Sequence, residues 1–220
     1  MDVVLFGPPG AGKGTQARLL AARLGVPQIA TGDMMRAERA SGSELGRRFD
    51  AYMGRGLLVP DELVLELLEE RLRRPDARAG AIFDGFPRTV AQAEALDALL
   101  ARLGRRLAAV VSLDVGLDAI VERAAGRRVC EACGQTYHVR YNPPPSTGRC
   151  GACGADRLVR RDDDAEPVVR RRYEEYVAKT EPVLAYYEAR GLLRRVDGTG
   201  SVDVVTRSIG EVIDAVRSAR

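Results

Sequence analysis

The chain has 220 residues, 45% of them hydrophobic and 30% charged, the balance of an ordinary soluble globular protein with a substantial core. A formal charge of only +3 argues against bulk binding to nucleic acid or membrane, and no stretch approaches the ~18 apolar residues of a membrane span. All but two of the 34 basic residues are arginine, the lysines being Lys13 and Lys179, so arginine abundance by itself says nothing about phosphate binding.

Residues 3–6 form a short apolar run that ends in a glycine-rich turn. A helical pattern over 15–24 follows and stops at Gly25, a typical C-cap. Apolar runs recur at 28–31, 81–83, 108–114 and 192–196, with helical segments between them at 34–39, 61–73, 90–103, 117–124 and 168–190. Pro182 lies inside the last of these and predicts a kink or break. Five short buried strands alternating with helices predict a parallel sheet covered on both faces, a doubly wound α/β fold. Two insertions interrupt the alternation. Residues 30–59 are mostly helical, whereas 126–164 show no helical period, contain a turn-rich stretch at 142–148 and hold all four cysteines. A loop that long in a compact domain marks a lid or a mini-domain. The core is then expected to comprise 1–29, 60–125 and 165–220. The first ten residues lack a basic region, so no signal peptide is expected and the cytosol is the default compartment.

Between the first strand and the first helix lies Gly7-Pro-Pro-Gly10-Ala11-Gly12-Lys13-Gly14-Thr15. Glycines there let successive backbone N–H groups face one anion, the helix N-terminus adds partial positive charge, and Lys13 brings a mobile full charge. The strict phosphate-loop pattern asks for Ser or Thr at position 14; here the hydroxyl comes one residue later, at Thr15. A glycine-rich turn without a ligand is the bland alternative, disfavoured because glycines, lysine, hydroxyl and flanking elements coincide.

Cys130-x2-Cys133 and Cys150-x2-Cys153 are two metal-ligand pairs separated by sixteen residues, each followed by a glycine, Gly134 and Gly154. This is zinc spacing. Four thiolates leave no open coordination position, so such a site is structural. Iron could occupy it, and a redox disulfide pair is the other alternative.

The phosphate loop with Gly-Thr after its lysine resembles that of nucleoside monophosphate kinases. Thr31-Gly-Asp-Met-Met-Arg36 and Asp84-Gly-Phe-Pro-Arg88-Thr look like two further signatures of that family. Together with Gly126-Arg127-Arg128, Tyr137-His138, the run from Arg161 to Asp164 and Val196-Asp-Gly-Thr199, they match the adenylate kinase branch over nearly the whole chain. The cysteine quartet resembles that of its zinc-lid subset.

The resemblance implies reversible transfer of the terminal phosphoryl group from Mg·ATP to AMP, giving two ADP, by a monomer with a structural zinc and no nucleic-acid or membrane partner. ATP would lie on Gly10, Ala11, Gly12, Lys13, Gly14 and Thr15, with Arg123, Thr136, Tyr137 and Gly200 around its nucleoside. AMP would be held by Thr31, Arg36, the backbone of Leu57, Leu58 and Val59, then Gly85, Phe86, Pro87, Arg88 and Gln92. Asp84 would hold the water shell of Mg2+, an oxygen ligand for a hard cation. Arg127, Arg161 and Arg172 would surround the transferring phosphoryl, with Arg161 and Arg172 also reaching AMP; the adjacent Arg160 and Arg171 leave the register of these two open by one position. His138, the only histidine, is expected to be structural. AMP's phosphate is already an anionic nucleophile, so catalysis reduces to alignment and charge neutralisation.

Three positions depart from the family pattern: Leu57, where a charged residue is frequent, Pro60, where a hydroxyl residue is usual, and Pro167, where an acidic residue is usual; none of them removes a catalytic group. The rivals are a kinase for UMP or CMP, whose relatives have a much shorter lid, a zinc-ribbon nucleic-acid binder, against which the acidic run Asp162–Asp164 stands, and a non-catalytic nucleotide sensor.

Overall fold

The computed structural model describes residues 1–53, 59–161 and 164–219. Leu57 and Leu58, expected in the acceptor pocket, lie outside the described residues, as do Asp162 and Asp163. The strands are β1 (Asp2–Phe6), β2 (Gln28–Ala30), β3 (Ala81–Asp84), β4 (Leu107–Asp114), β5 (Arg127–Cys130), β6 (Thr136–His138), β7 (Leu158–Val159) and β8 (Leu193–Asp197). The helices are α1 (Lys13–Leu24), α2 (Thr31–Ser41), α3 (Glu44–Met53), α4 (Asp61–Leu72), α5 (Val90–Arg102), α6 (Leu117–Gly126), α7 (Glu166–Glu175), α8 (Glu181–Glu188) and α9 (Val202–Ser218).

Five strands make one parallel sheet in the order β2-β3-β1-β4-β8, as the alternation of short apolar runs and helices predicts. Side chains alternate across a strand, so β1 feeds two cores. Val3 and Leu5 face Ala17 and Leu20 of α1, Ile120 of α6 and Ile209 of α9. Val4 and Phe6 face Leu68 of α4, Leu96 and Leu100 of α5 and Tyr187 of α8. With both faces covered, the central strands are almost wholly apolar and all five residues of β1 are buried, whereas the edge strand β8 carries the exposed Arg194, Arg195 and Asp197.

Outside this sandwich, α3 leans on α4 through the fully buried Phe49, which packs with Leu63 and Leu67. The stretch expected to be an irregular loop contains a second, antiparallel sheet in the order β6-β5-β7. Its strands are only two to four residues long, too short to impose a visible alternation.

Two other expectations change in detail. The strand expected at 28–31 stops at Ala30, and Thr31 already opens α2, which runs well past the expected 34–39. The long helix expected over 168–190 is three pieces: α7, a π-helical turn at Tyr176–Thr180, and α8. Pro182 causes the break. It has no N–H to donate, and it sits in the first turn of α8, where none is needed.

At the opposite end of the sheet from the phosphate loop, the buried Asp2 is paired with Arg105, whose Nε lies 3.0 Å from Asp2 Oδ2; the side chains are 4% and 13% exposed. Removing one partner strands a charge away from water. Arg105→Ala should lower the unfolding free energy by about 3–5 kcal/mol in urea titration, and adding Asp2→Ala should recover part of that loss.

Candidate active site

The phosphate loop leaves β1 at the C-terminal edge of the sheet, where open α/β folds bind ligands. Gly12, with φ of 93°, is the N-cap of α1 and turns the chain so that the first N–H groups of the helix point outward. At Gly10 a Cβ would come within 2.9 Å of Ile120 Cγ2, so only glycine lets the loop pack on α6. Lys13 folds back over the loop, donating from Nζ to the carbonyls of Gly7 (2.7 Å) and Pro8 (2.9 Å). The loop therefore supplies both the concavity and a tethered cation above it.

Asp84 ends β3 next to the loop. Its Oδ2 accepts from Gln28 Nε2 at 3.0 Å, and a Cβ at Gly14 would sit 3.4 Å from the same oxygen. A side chain extending beyond Cβ at 14 would press on that oxygen, and here the hydroxyl falls to Thr15. Burial raises the carboxyl pKa, an effect opposed by the charge of Lys13 and the Gln28 hydrogen bond. Lys13 shows the converse. Burial depresses its ammonium pKa to about 8; Asp84 opposes this, while Arg88, Arg172 and Arg127 add repulsion.

Across the edge of β3, Thr31, Gly85 and Arg88 converge. Thr31 Oγ1 lies 3.4 Å from the Gly85 carbonyl, and a Cβ at Gly85 would be 3.5 Å from an Arg88 guanidinium nitrogen. Arg88 Nε donates to Gly85 O at 2.8 Å, and Phe86 and Pro87, joined by a cis peptide, are buried beneath it. Loss of hydration followed by the charge of Arg172 depresses the Arg88 pKa. Gln92, one turn into α5, has its carboxamide held between the Arg88 N–H (2.7 Å) and Asp61 Oδ1 (2.6 Å). Val59 packs against the same wall, next to the undescribed Leu58. Arg36 is exposed and paired with Asp33 of its own helix, so its guanidinium is turned along α2.

On the far side, Arg123 of α6 donates to the carbonyls of Ala11 (3.3 Å), Gly198 (2.7 Å) and Thr199 (3.2 Å), which ties the phosphate loop to the turn holding Gly200. Arg127 reaches Asp164 Oδ1 at 2.5 Å, and that aspartate's side chain is wholly buried. Arg172 is half-buried and its charge is felt at Lys13 and Arg88, whereas Arg171 is exposed. Arg160 donates to the Asp164 carbonyl at 2.8 Å, and Arg161 is exposed at the lid margin. Thr136 is half-buried on β6 with its hydroxyl near Gly134 O. Tyr137 differs from the expectation of a nucleoside neighbour, because its ring is buried in the lid's own small core with Cys130 and Cys150. His138 stacks on Tyr141 and accepts at Nδ1 from the N–H groups of Arg140 and Tyr141, a structural placement.

All four cysteine sulfurs lie within 4.8 Å of one another, with Cys130–Cys153 and Cys133–Cys150 each at 3.6 Å. A tetrahedron of sulfurs ~2.3 Å from a zinc ion has edges of roughly 3.8 Å, so the donor set fits. A disulfide does not fit, since each cysteine has more than one sulfur neighbour and none at bonding distance. The two knuckles repeat one geometry: Gly134 N–H bonds Cys130 O at 2.9 Å and Gly154 N–H bonds Cys150 O at 2.8 Å, both glycines having positive φ. The Tyr137 hydroxyl accepts from Gly151 N–H at 2.7 Å and lies 3.3 Å from Cys150 Sγ, so it braces one knuckle from inside.

This assembly can now be set beside known proteins. The family described as Adenylate kinase matches residues 5–192. The chain belongs to the adenylate kinase family. Adenylate kinase from Moorella thermoacetica is 53% identical over 97% of this chain and 98% of its own length. Those from Thermodesulfovibrio yellowstonii and Archaeoglobus fulgidus are 49% and 46% identical, covering 97% and 99% of this chain and 99% and 100% of theirs.

The sequence assigns no role to Gln28, Asp61 or the contact of Arg18 Nη1 with Gln135 Oε1 (3.4 Å), which links α1 to the first cysteine knuckle, and it offers Asp164 only as the end of the matched run from Arg161. Each is a partner of a motif residue or of the lid. Only Asp164, inside the acidic run, had a signal, and it was legible as charge rather than as a brace. Among the described residues no helix is long and apolar enough to cross a membrane.

The depressed Lys13 pKa carries a sign that titration can test. Below pH about 8 the free protein holds Lys13 charged; above it the charge is lost, and a bound polyphosphate restores it by raising the pKa. Binding of ATP at pH 8.5 should therefore take up a fraction of a proton, measured calorimetrically in buffers of different ionisation enthalpy, and kcat/KM for ATP should fall above pH 8 while kcat stays flatter.

Proposed function

We propose that the chain transfers the terminal phosphoryl group of Mg·ATP to AMP, reversibly, giving two ADP. The observation that supports this most directly is that the charges of Arg88, Arg172, Arg127 and Asp84 all act on Lys13, and those of Arg172 and Asp84 on Arg88, at the mouth of the phosphate loop. A strongly anionic ligand bound there would relieve the repulsion among these cations. Two nucleotides meeting end to end supply that charge.

In this reading the loop residues Gly10 to Thr15 cradle the phosphates of ATP, and Arg123, Thr136 and Gly200 border its nucleoside. Thr31, Gly85, Arg88 and Gln92 hold AMP, with Arg36 swinging from Asp33 to its phosphate. Arg127, Arg161 and Arg172 neutralise the charge that spreads over the transferring group. No side chain needs to generate a nucleophile, because the AMP phosphate is one already. Mg2+ enters with ATP, and the Asp84 carboxylate together with Thr15 would supply oxygen partners for its water shell.

The segments 30–59 and 126–164 are proposed as the parts that close over the core formed by 1–29, 60–125 and 165–220. Closure would exclude water that would otherwise capture the phosphoryl group. Four thiolates on zinc would hold the lid together and supply no reactive position, since a lobe with only three buried residues in its cluster cannot stabilise itself. The protein would work as a cytosolic monomer on ATP, AMP and ADP.

A coupled assay with Mg·ATP and AMP, CMP, UMP or GMP in turn tests the reading, and AMP should be turned over far faster than the others. Turnover of UMP or CMP at the rate of AMP would overturn it. Lys13→Met and Arg88→Ala should each lower kcat/KM by about 10²–10³-fold with unchanged melting. Cys130→Ser should lower the melting temperature more than it lowers activity at 25 °C, and metal analysis of the wild type should find about one equivalent per chain.

A further inference from the structure

The carboxamide of Gln92 is fixed in one orientation by two partners that cannot exchange roles. A main-chain N–H only donates, so the amide atom 2.7 Å from Arg88 N is the oxygen. A carboxylate only accepts, so the amide atom 2.6 Å from Asp61 Oδ1 is the nitrogen. Turning the amide over would set N–H against N–H and oxygen against oxygen at once. The backbone beneath is fixed as well, because Gln92 N–H donates to Thr89 Oγ1 at 3.2 Å in the cap of α5.

With those bonds made, the amide keeps one N–H and one lone pair for a ligand. Adenine presents a ring-nitrogen acceptor beside the N6–H donor, and a carboxamide pairs with that pattern in a bidentate way. Hypoxanthine and guanine carry an oxygen at C6 in place of the amino group. On the edge that includes N1 they show the reverse order of donor and acceptor. An amide free to rotate accommodates both patterns; a locked amide reads only the first.

Asp61 is placed to act as the lock. It is the first residue of α4, half-buried, with Pro60 as the preceding N-cap, so the helix start fixes its backbone and favours its charge. The helix it opens is anchored by the buried Leu63, Val64, Leu67 and Leu68, and Gln92 lies on the neighbouring α5. The pair therefore spans two separately anchored elements.

We propose that Asp61 determines base specificity in the acceptor pocket: by holding the Gln92 amide in one orientation, it makes the pocket accept adenosine monophosphate and reject 6-oxopurine monophosphates. This rests on the reading of Gln92 as the adenine contact. Asp61 is a positioning residue, since it acts through Gln92.

The test compares kcat/KM for AMP and for IMP, with Mg·ATP as donor, in the wild type, Asp61→Ala, Asp61→Asn and Gln92→Leu. Asp61→Ala should lower the AMP-to-IMP ratio by about tenfold or more, chiefly through a higher KM for AMP. Asp61→Asn, which loses the charge but keeps an oxygen acceptor, should retain most of the ratio, and Gln92→Leu should abolish most of it. Asp61→Glu, which keeps the charge at the helix start but moves the carboxylate by one methylene, should also lower the ratio and serves if the alanine variant does not fold. A ratio within twofold of wild type in Asp61→Ala or Asp61→Glu, beside a collapsed ratio in Gln92→Leu, overturns the lock and leaves Gln92 as the base contact. An unchanged ratio in Gln92→Leu overturns the reading of Gln92 and the lock with it.

Discussion

The site depends on like charges held close together by a fold that would relax if they were allowed to part. Lys13 feels Arg88, Arg172 and Arg127, and Arg88 in turn feels Arg172 and Arg36. Among the described residues, Asp84 is the carboxylate acting on both Lys13 and Arg88. Such a cluster persists because its members are anchored on different elements: α1, the turn after β3, the start of β5, and α7. The repulsion is a standing cost that an anionic ligand removes. A phosphate bound there would meet positive potential already in place.

The two ends of the sheet divide the work. At the N-terminal end, Asp2 and Arg105 form a buried, doubly bonded pair that pins β1 to the turn before β4. At the C-terminal end the same strand opens into a loop with only Lys13 for a local side-chain charge, folded onto the loop's own carbonyls. The lid solves a separate problem. Its hydrophobic cluster is Cys130, Tyr137 and Cys150 with two flanking residues, far less than a free-standing unit needs. A metal held by the four cysteines would supply the missing cohesion, and Tyr137, buried with Cys130 and Cys150, belongs to that small core.

Much of this was legible in the sequence, for identifiable reasons. The parallel sheet announced itself because its central strands, covered on both faces, are runs of mostly apolar residues, and the phosphate loop because its glycines, lysine and hydroxyl sit at one strand–helix junction. The cysteine quartet was legible from spacing alone. The lid's second sheet was not, since strands such as Leu158–Val159 are too short for alternation to register. The braces were hidden for a different reason. Gln28 steadies Asp84 across 56 positions, Asp61 steadies Gln92 across 31, and Asp164 steadies Arg127 across 37. No local pattern carries a contact that the fold alone creates. Each of these residues, read in its own segment, is only a polar side chain near the end of an element.

The same limit explains why the register of Arg171 and Arg172 could not be read from sequence. Along an uninterrupted helix from 168 to 190, the face that packs on the core would fix which arginine turns toward the phosphate loop. The π-helical turn at Tyr176–Thr180, closed by the Glu181 N–H to the Tyr176 carbonyl, takes up one residue more than an α-turn. One residue is about 100° of helix rotation, so everything before the turn is rotated relative to α8 by roughly that angle. α8 is fixed by Val183, Leu184 and Tyr187 against the sheet, and α7 by Val169 on the opposite face. The bulge therefore lets one chain segment serve both cores, with Arg172 carried toward Lys13 and Arg171 left in solvent. Pro182 makes that possible by forcing the ladder to break where the rotation is required.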